Sequence, residues 1–164
     1  MVEMIYDIID SPMGPILVAM DQRGVRHLSF EGGTHPLGID PGWTRDPKKV
    51  KPVMDQLVAY FAGKLTQFEV DLAPLGTAFQ QKVWAALCRI PYGRTASYLD
   101  VAVAVGNEKA CRAVGGANGK NPIPIIIPCH RVIGKSGKLV GFSSGLDIKT
   151  RLLQLESRAY SNGE

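Results

Sequence analysis

The chain has 164 residues, of which 45% are hydrophobic and 21% are charged, and this length can bury a core without disulfides or a structural metal. No apolar run is long enough to form a helix that spans a bilayer, so we expect a soluble globular protein. The net charge of +4 is unevenly spread: residues 1–76 hold 7 basic and 10 acidic side chains, whereas residues 77–164 hold 12 and 5.

A basic C-terminal half is typical of a surface that faces a polyanion, nucleic acid first, although a solvated basic surface has the same composition. The N-terminus carries acidic residues where a signal peptide carries basic ones, so we expect a cytoplasmic protein. The three cysteines are odd in number and form no C-x-x-C pair. Free thiols are therefore expected, rather than disulfides or a zinc site.

The first half alternates strand and turn signals, which predict a three-strand antiparallel meander followed by a helix. The strands are expected at 4–9, 15–20 and 25–30. Residues 31–47, rich in Gly, Pro and Asp, are expected to form a loop, and residues 67–72 a further strand. The helix is predicted from apolar side chains at helical spacing: Val50, Val53, Met54, Leu57, Val58 and Phe61.

The charge balance changes sign near Pro74 and Gly76, so we expect one domain at 1–75 and a second at 76–164. The second domain is expected to be mainly helical, with a final helix from about residue 147 to residue 157.

Three helices are predicted in the first part of the second domain. Thr77 begins a capping box, and the helix after it is expected to end at the "PYG" of residues 91–93. Ser97 caps a second helix that Gly106 ends, and a third is expected to begin directly at Asn107.

The last two of these helices, joined by a tight turn and with a basic second member, resemble a helix-turn-helix. An ordinary helical hairpin has the same pattern. Gly115 and Gly116 weaken the second member, which makes sense where a DNA strand or a neighbouring helix approaches its backbone.

The segment "NPIPIIIPCH" at residues 121–130 places Cys129 at the end of an apolar run, in which three prolines restrict strand pairing to residues 125–127. A lone cysteine is more often a small buried residue than a reactive group, and we interpret Cys88 and Cys111 in that way. Cys129 differs because a histidine and an arginine follow it, and such neighbours favour the thiolate.

Cys129 and His130 are adjacent, and adjacent side chains of an extended chain point to opposite faces. A water bridge or a local turn is therefore needed between them. If His130 is a base, a carboxylate should orient it. Glu156 is the best candidate because it borders the apolar stripe of the final helix, although a solvated glutamate fits the same position. The other carboxylates of the basic half are Asp100, Glu108, Asp147 and Glu164.

Three runs together resemble one family. They are "TAFQQKVWAALCRIPYGRTASY" at 77–98, "RAVGGANGKNPIPIIIPCHRVIG" at 112–134 and "GKLVGFSSGLDIKTRLLQLE" at 137–156. On these residues the chain resembles the methylated-DNA–protein-cysteine S-methyltransferases, also called 6-O-alkylguanine-DNA alkyltransferases. The likeness covers about residues 77–157, and the first half is similar to the family's ribonuclease-H-like domain in element order.

The resemblance implies an α+β fold, in which a small ribonuclease-H-like N-terminal domain with an antiparallel sheet and a helix precedes a mainly helical domain. That second domain would carry the helix-turn-helix and the active-site cysteine segment. The implied function is direct-reversal repair: an alkyl group on the 6-oxygen of guanine in DNA moves irreversibly to the protein's own cysteine, once per molecule. Action on the 4-oxygen of thymine stays open.

The resemblance also implies residue roles. Cys129 would accept the alkyl group, His130 would be a water-mediated base, Glu156 would orient it, and the Tyr98 hydroxyl would rotate the target phosphate and donate to the guanine ring. Because a base inside a duplex cannot reach a cysteine, the nucleotide must be flipped out, and Arg112 would fill the gap. The residues implied to approach the minor groove are Arg112, Tyr98, Ala113, Gly115 and Gly116.

The implied substrate pocket consists of Asn121, Pro128, Val132, Phe142, Ser143 and Ser144. Asn121 would be a hinge between the DNA-reading helix and the cysteine segment. Phe142 stands where many members have tyrosine, so it could stack on the base but lacks the hydroxyl. Ser144 stands where glycine is common, and its Cβ would narrow the pocket against bulky alkyl groups. The chain has no cysteine before Cys88, so the N-terminal zinc site of some members is not expected, nor is any cofactor.

The expected partner is double-stranded DNA that contains alkylated guanine. We expect the protein to be a monomer in solution, and whether several molecules assemble cooperatively on DNA stays open. Two other functions use the same residues. A non-catalytic lesion binder or helix-turn-helix regulator would bind DNA without a change in its own mass. A cysteine hydrolase built on Cys129, His130 and Glu156 would turn over activated esters.

Overall fold

The computed structural model describes residues 3–134 and 145–162, with side chains described up to Arg158. Within these ranges, no helix is both long enough and apolar enough to cross a membrane. The fold is α+β, with an antiparallel sheet in the N-terminal half and helices in the C-terminal half.

The predicted three-strand meander is confirmed. It consists of β1 (Ile5–Ile9), β2 (Ile16–Asp21) and β3 (Gly24–Phe30), paired antiparallel in sequence order. A short strand, β4 (Thr44–Arg45), pairs parallel to β1, so the stretch expected to be only a loop contributes a sheet edge. The tight turn into β3 requires glycine, because a Cβ at Gly24 would lie 2.4 Å from the Asp71 carbonyl oxygen.

The predicted helix packs on this sheet as α1 (Pro47–Phe61). Asp46 caps it by accepting a hydrogen bond from the Lys49 backbone N–H at 3.2 Å. Val58, one of the apolar residues used to predict the helix, is 57% exposed, whereas Tyr60 is fully buried. The buried face of α1 consists of Val50, Val53, Met54, Leu57 and Tyr60.

The strand expected at residues 67–72 is wrong. The segment touches the β3 edge only at its end, where the Val25 N–H donates to the Asp71 carbonyl at 2.8 Å. Earlier in the segment, the Gln56 side chain takes the place of a neighbouring strand, since it donates to the Glu69 carbonyl and accepts from the Glu69 N–H. Side-chain hydrogen bonds therefore satisfy backbone groups that sheet pairing would otherwise satisfy.

The C-terminal half contains the predicted helices, and the capping boxes at Thr77 and Ser97 are both present. Two short strands, β5 (Ala96–Ser97) and β6 (Val132–Ile133), pair in parallel. The helices are α2 (Ala78–Leu87), α3 (Tyr98–Ala104), α4 (Cys111–Gly119) and α5 (Leu146–Asn162).

The third predicted helix begins four residues later than expected. Asn107 instead forms a turn, because its side-chain oxygen accepts from the Lys109 N–H at 3.2 Å and its carbonyl accepts from the Ala110 N–H at 3.0 Å. An asparagine that bonds its own following backbone competes with helix formation in this way. The helical residues therefore start at Cys111.

Residues 125–127, the stretch to which the prolines restrict strand pairing, form a turn and not a strand. Ile125 has a φ of +73°, which is rare for a β-branched residue, and the Ile127 N–H donates to the Ile123 carbonyl at 2.9 Å. The chain therefore turns here and enters a 3-10 helix at Cys129–Arg131.

Buried side chains of both halves form one continuous apolar cluster. The backbone connects the halves as well, since the Leu28 N–H on β3 donates to the Pro122 carbonyl at 2.9 Å. Within the second half, the Trp84 indole N–H donates to the Ala117 carbonyl at 2.9 Å, which ties α4 to α2. The turn before Cys129 thus lies between the sheet and the helix-turn-helix.

Candidate active site

Cys129 opens the 3-10 helix, directly after Pro128, and is 3% exposed. Two asparagines at the end of α4 hold the segment that carries it. The Asn121 side chain donates to the Ile127 carbonyl at 2.7 Å, and the Asn118 side chain donates to the Cys129 carbonyl at 3.4 Å. The predicted hinge contact between Asn121 and the cysteine segment is therefore present.

The thiol of Cys129 is protonated at rest. Burial raises its pKa to about 11, against the lowering effects of a hydrogen bond from Asn121 and of the Lys149 charge. At neutral pH the protonated thiol therefore predominates. A nucleophile in this environment needs a base to remove its proton.

His130 is fully buried, and its Nε2 lies 2.6 Å from Glu156 Oε2. Burial lowers the pKa of His130, and although Glu156 raises it, the charges of Arg131 and Lys149 add to the lowering. The ring is therefore neutral at pH 7, and the nearby carboxylate places its single proton on Nε2. Nδ1 is then an acceptor, and it is buried without a hydrogen-bond partner in the part of the chain that the structure describes.

No hydrogen bond joins the Cys129 thiol to the side chain of His130 among the described residues. This agrees with the expectation that the two adjacent side chains do not interact directly. A water molecule that bridges the thiol and Nδ1 would satisfy the buried acceptor and connect the two groups.

Glu156 is 1% exposed, and its carboxylate accepts from three side chains. Besides His130, Arg131 donates through Nε to Oε1 at 2.8 Å and through Nη2 to Oε2 at 3.0 Å, and the Tyr60 hydroxyl donates to Oε2 at 2.6 Å. Burial alone would raise the pKa of Glu156, but the bonds and charges of His130 and Arg131 outweigh it and lower the pKa to about 2. The contact predicted between His130 and Glu156 is present.

Three residues of this cluster are absent from the sequence-based set of site residues: Tyr60, Arg131 and Lys149. Lys149 is buried on α5, and its ammonium donates to the Val132 carbonyl at 2.6 Å. Lys149 borders the apolar stripe of Ile148 and Leu152 on the final helix, on the same side as Glu156, and this position is the signal in the sequence that could have placed it in the site.

The helix-turn-helix consists of α3 and α4. Arg112, Ala113 and Gly116 are exposed on α4, whereas Val114 on the same helix is buried. Tyr98, half-buried at the start of α3, lies close to Gly115, where a Cβ would be 3.8 Å from the tyrosine ring. Burial raises the pKa of Tyr98, and the nearby Cys129 raises it further, so its hydroxyl is a proton donor at neutral pH.

Three predicted pocket residues, Phe142, Ser143 and Ser144, lie outside the described residues, and their roles stay predictions. The interpretation of Cys88 as a buried residue is wrong, since it is exposed where α2 ends, and Cys111 is only half-buried. Among the described residues, no three His, Cys, Asp or Glu side chains come together as a metal site would require.

Two family models match the chain. The model described as "6-O-methylguanine DNA methyltransferase, DNA binding domain" matches residues 78–158, and the one described as "6-O-methylguanine DNA methyltransferase, ribonuclease-like domain" matches residues 4–74. A methylated-DNA–protein-cysteine methyltransferase of Methanosarcina barkeri is 55% identical over 93% of this chain and 97% of its own. One of Mycobacterium tuberculosis is 51% identical over 94% of this chain and 93% of its own. The crystal structure of M. tuberculosis OGT in complex with DNA is similar with a TM-score of 0.87 at 49% identity, covering 94% of each chain.

Proposed function

The chain belongs to the 6-O-methylguanine DNA methyltransferase family, and we propose that Cys129 is the residue that accepts the alkyl group. Its activity is that of a methylated-DNA–protein-cysteine methyltransferase, which binds DNA and repairs it by alkyl transfer. The observation that supports Cys129 is its position beside a neutral, buried His130 whose Nδ1 is an acceptor with no hydrogen-bond partner among residues 3–134 and 145–158.

The reaction we propose is an in-line displacement at the alkyl carbon on guanine O6. The thiol proton passes through water to His130 Nδ1, the carbon–sulfur bond forms, and the carbon–oxygen bond breaks. Guanine leaves as an anion and gains a proton that the Tyr98 hydroxyl supplies. The His130 imidazolium then gives up the thiol proton to solvent, and solvent returns a proton to the Tyr98 oxygen, so the net change is one proton lost by the thiol and one gained by guanine. The thioether has no good leaving group, and each molecule therefore acts once.

Glu156 has a positioning role in this scheme. Its ionised carboxylate holds the Nε2 proton of His130, which keeps Nδ1 free to accept, and it stabilises the imidazolium that forms when the thiol proton arrives. Because the pKa of Glu156 is about 2, the carboxylate stays ionised at neutral and mildly acidic pH.

On the DNA side, we propose that α4 approaches the minor groove of a duplex that contains alkylated guanine. Ala113, Gly115 and Gly116 are small, so the helix backbone can come close, and the exposed Arg112 fills the space of the flipped nucleotide. Flipping costs roughly a few kcal/mol, which the arginine and the pocket must offset.

The substrate pocket in this proposal includes Asn121, Pro128 and Val132, in which the main chain near Cys129 reads the edge of the base. Two domains, at 1–75 and 76–164, carry the fold. The protein acts as a monomer in the cytoplasm and needs neither a metal nor a cofactor.

The experiment compares Cys129→Ser with the matched control Cys88→Ser, an exposed cysteine 41 positions earlier. Each is mixed with duplex DNA containing one 6-O-methylguanine, and the fraction of lesion removed is measured. We expect Cys129→Ser to remove none and Cys88→Ser to remove one lesion per molecule. Removal of the lesion by Cys129→Ser would refute the proposal. If the unsubstituted protein binds the lesion tightly but does not remove it, a non-catalytic binder is favoured. If each molecule of the unsubstituted protein removes many lesions, a hydrolase is favoured.

A further inference from the structure

The Glu156 carboxylate receives a hydrogen bond from the N-terminal half of the chain. Tyr60, near the end of α1, is fully buried, and its hydroxyl donates to Glu156 Oε2 at 2.6 Å across 96 positions of sequence. The N-terminal half therefore contacts the proposed proton relay directly, through a single side-chain oxygen.

We propose that Tyr60 is a positioning residue for the alkyl transfer, because its hydroxyl fixes the Glu156 carboxylate against His130 and takes up part of its charge. The proposal rests on the function of Cys129, His130 and Glu156 proposed above. It assigns the sheet-bearing half of the molecule a part in the reaction beyond its packing against the helices.

The hydroxyl is a donor at every pH of interest. Burial raises the pKa of Tyr60 well above its usual range, and the Glu156 carboxylate raises it further. A protonated hydroxyl 2.6 Å from a carboxylate oxygen makes a short, charge-assisted hydrogen bond. Ring packing also holds Tyr60, which lies edge-on to Phe61 with a centroid distance of 5.4 Å.

Glu156 Oε2 is the oxygen that His130 uses, and three donors share it. They are the Tyr60 hydroxyl at 2.6 Å, His130 Nε2 at 2.6 Å and Arg131 Nη2 at 3.0 Å. When one donor is removed, the carboxylate interacts more strongly with the other two, so His130 becomes more basic. The carboxylate also loses a constraint on its rotation, so the imidazole is less well oriented.

The other titratable groups around this pair are known, and each keeps its own side chain when the Tyr60 hydroxyl is removed. Arg131 and Lys149 act on His130 through their charges, and Cys129 precedes it in the chain. Tyr92 faces Glu156 from the segment after α2, and its own pKa is raised by burial and by that carboxylate. A change in the acid limb of the rate profile would therefore report the bond from Tyr60.

Tyr92 supplies a matched control. Its ring packs edge-on against Tyr60 at 6.2 Å and lies 5.7 Å from the Arg131 guanidinium carbon, yet its buried hydroxyl has no hydrogen-bond partner among the described residues. Tyr60→Phe and Tyr92→Phe thus remove the same atom from neighbouring rings, and only the first removal breaks a bond to the relay.

The test measures the second-order rate constant for removal of 6-O-methylguanine from duplex DNA between pH 5 and pH 9. We expect the rate constant of Tyr60→Phe to be roughly 3- to 30-fold lower at neutral pH. This is a part of the ~10²–10⁴-fold rate enhancement that a positioned base contributes. We also expect its acid limb to move to higher pH, because a more basic His130 is protonated earlier. Tyr92→Phe should keep the unsubstituted rate and profile.

A second background separates positioning from general loosening of the fold. In His130→Gln, which lacks the base, adding Tyr60→Phe should cause no further loss of rate, because the two residues act in one chain. An equal fold-loss in both backgrounds, or a Tyr60→Phe protein with unchanged rate and acid limb, would overturn the proposal. If Tyr60→Phe does not fold, 3-fluorotyrosine at position 60 keeps the hydroxyl and makes it a stronger hydrogen-bond donor. His130 should then become less basic, so the acid limb of the rate profile should move to lower pH. An acid limb that does not move would overturn the proposal.

The two proposals fail differently. If Cys129 is not the alkyl acceptor, the unsubstituted protein and Cys129→Ser remove the lesion equally well. If only the role of Tyr60 is wrong, the unsubstituted protein repairs through Cys129, and Tyr60→Phe repairs at the same rate with the same pH dependence.

Discussion

Replacing Glu156 by glutamine removes a buried charge while keeping the shape of the side chain. The carboxylate accepts from Tyr60, His130 and Arg131, all of which donate, so the NH₂ group of glutamine must face at least one of these donors. The substitution also leaves the guanidinium of Arg131, which is 6% exposed, without its ion-pair partner. Breaking a buried pair in this way costs roughly 3–5 kcal/mol.

The pKa of Glu156 leads to a similar loss of folding free energy. Its ordinary value of 4.5 is lowered to about 2 in the folded protein, and at 1.36 kcal/mol per pH unit this corresponds to about 3 kcal/mol of stability. Because the folded pKa is depressed, this stability is present above pH 4.5 and is lost as the pH falls toward 2. The difference between the unsubstituted protein and Glu156→Gln should therefore shrink over that range.

The assay is urea unfolding at 25 °C and pH 7, in which the midpoint and the slope give the free energy of unfolding. The matched control is Asp55→Asn on α1, whose carboxylate pairs with Lys51 at 2.8 Å but is 62% exposed, so its loss should cost about 0.5 kcal/mol or less. A loss below about 1 kcal/mol for Glu156→Gln, or one equal to that of the control, would refute the account of this cluster.

Three further predictions follow from the same contacts. The free energy of unfolding should fall as the pH drops below 6.5, because burial lowers the pKa of His130 in the folded protein and keeps the ring neutral. Glu156 adds a second loss below pH 4.5, because its folded pKa is also lowered. Thermal unfolding measured as a function of pH tests this, and an unchanged stability between pH 6.5 and 4.5 would contradict it. Gly76→Ala should destabilise the fold by about 1–3 kcal/mol in urea unfolding, since its Cβ would lie 2.4 Å from the Trp84 ring. Arg112→Ala should slow repair of duplex DNA much more than reaction with free benzylated guanine, and equal losses in both rate assays would exclude a role in flipping.

Local signals in the sequence were sufficient for most of the fold. Alternation and turn residues predicted the meander, and capping boxes at Thr77 and Ser97 marked two helix starts that the structure has. The stretches that were mispredicted depend on individual hydrogen bonds that hydrophobic periodicity does not mark. Residues 67–72 have the alternation of a strand, but the Gln56 side chain satisfies the backbone there. The third helix of the second half starts later than predicted because the Asn107 side chain accepts from the Lys109 N–H.

Some residues of the candidate site could likewise be predicted from the sequence, and others could not. Cys129, His130 and Glu156 were identified because two are adjacent in a distinctive motif and the third borders a helical stripe. Tyr60 was missed because nothing in its own neighbourhood marks it as more than a core aromatic, although its spacing from Val53 and Leu57 already places it on the buried face of α1. Its hydrogen-bond partner lies 96 positions away and becomes evident only when the two halves pack together.

The most direct measurement of the central claim is the mass of the peptide that carries Cys129 after the protein reacts with duplex DNA containing 6-O-methylguanine. The account predicts one added methyl group on that peptide, in a one-to-one ratio to lesions removed, with no further removal once the protein is consumed. Lesion removal with an unmodified Cys129 peptide, or methyl groups on Cys88 or Cys111 instead, would contradict it.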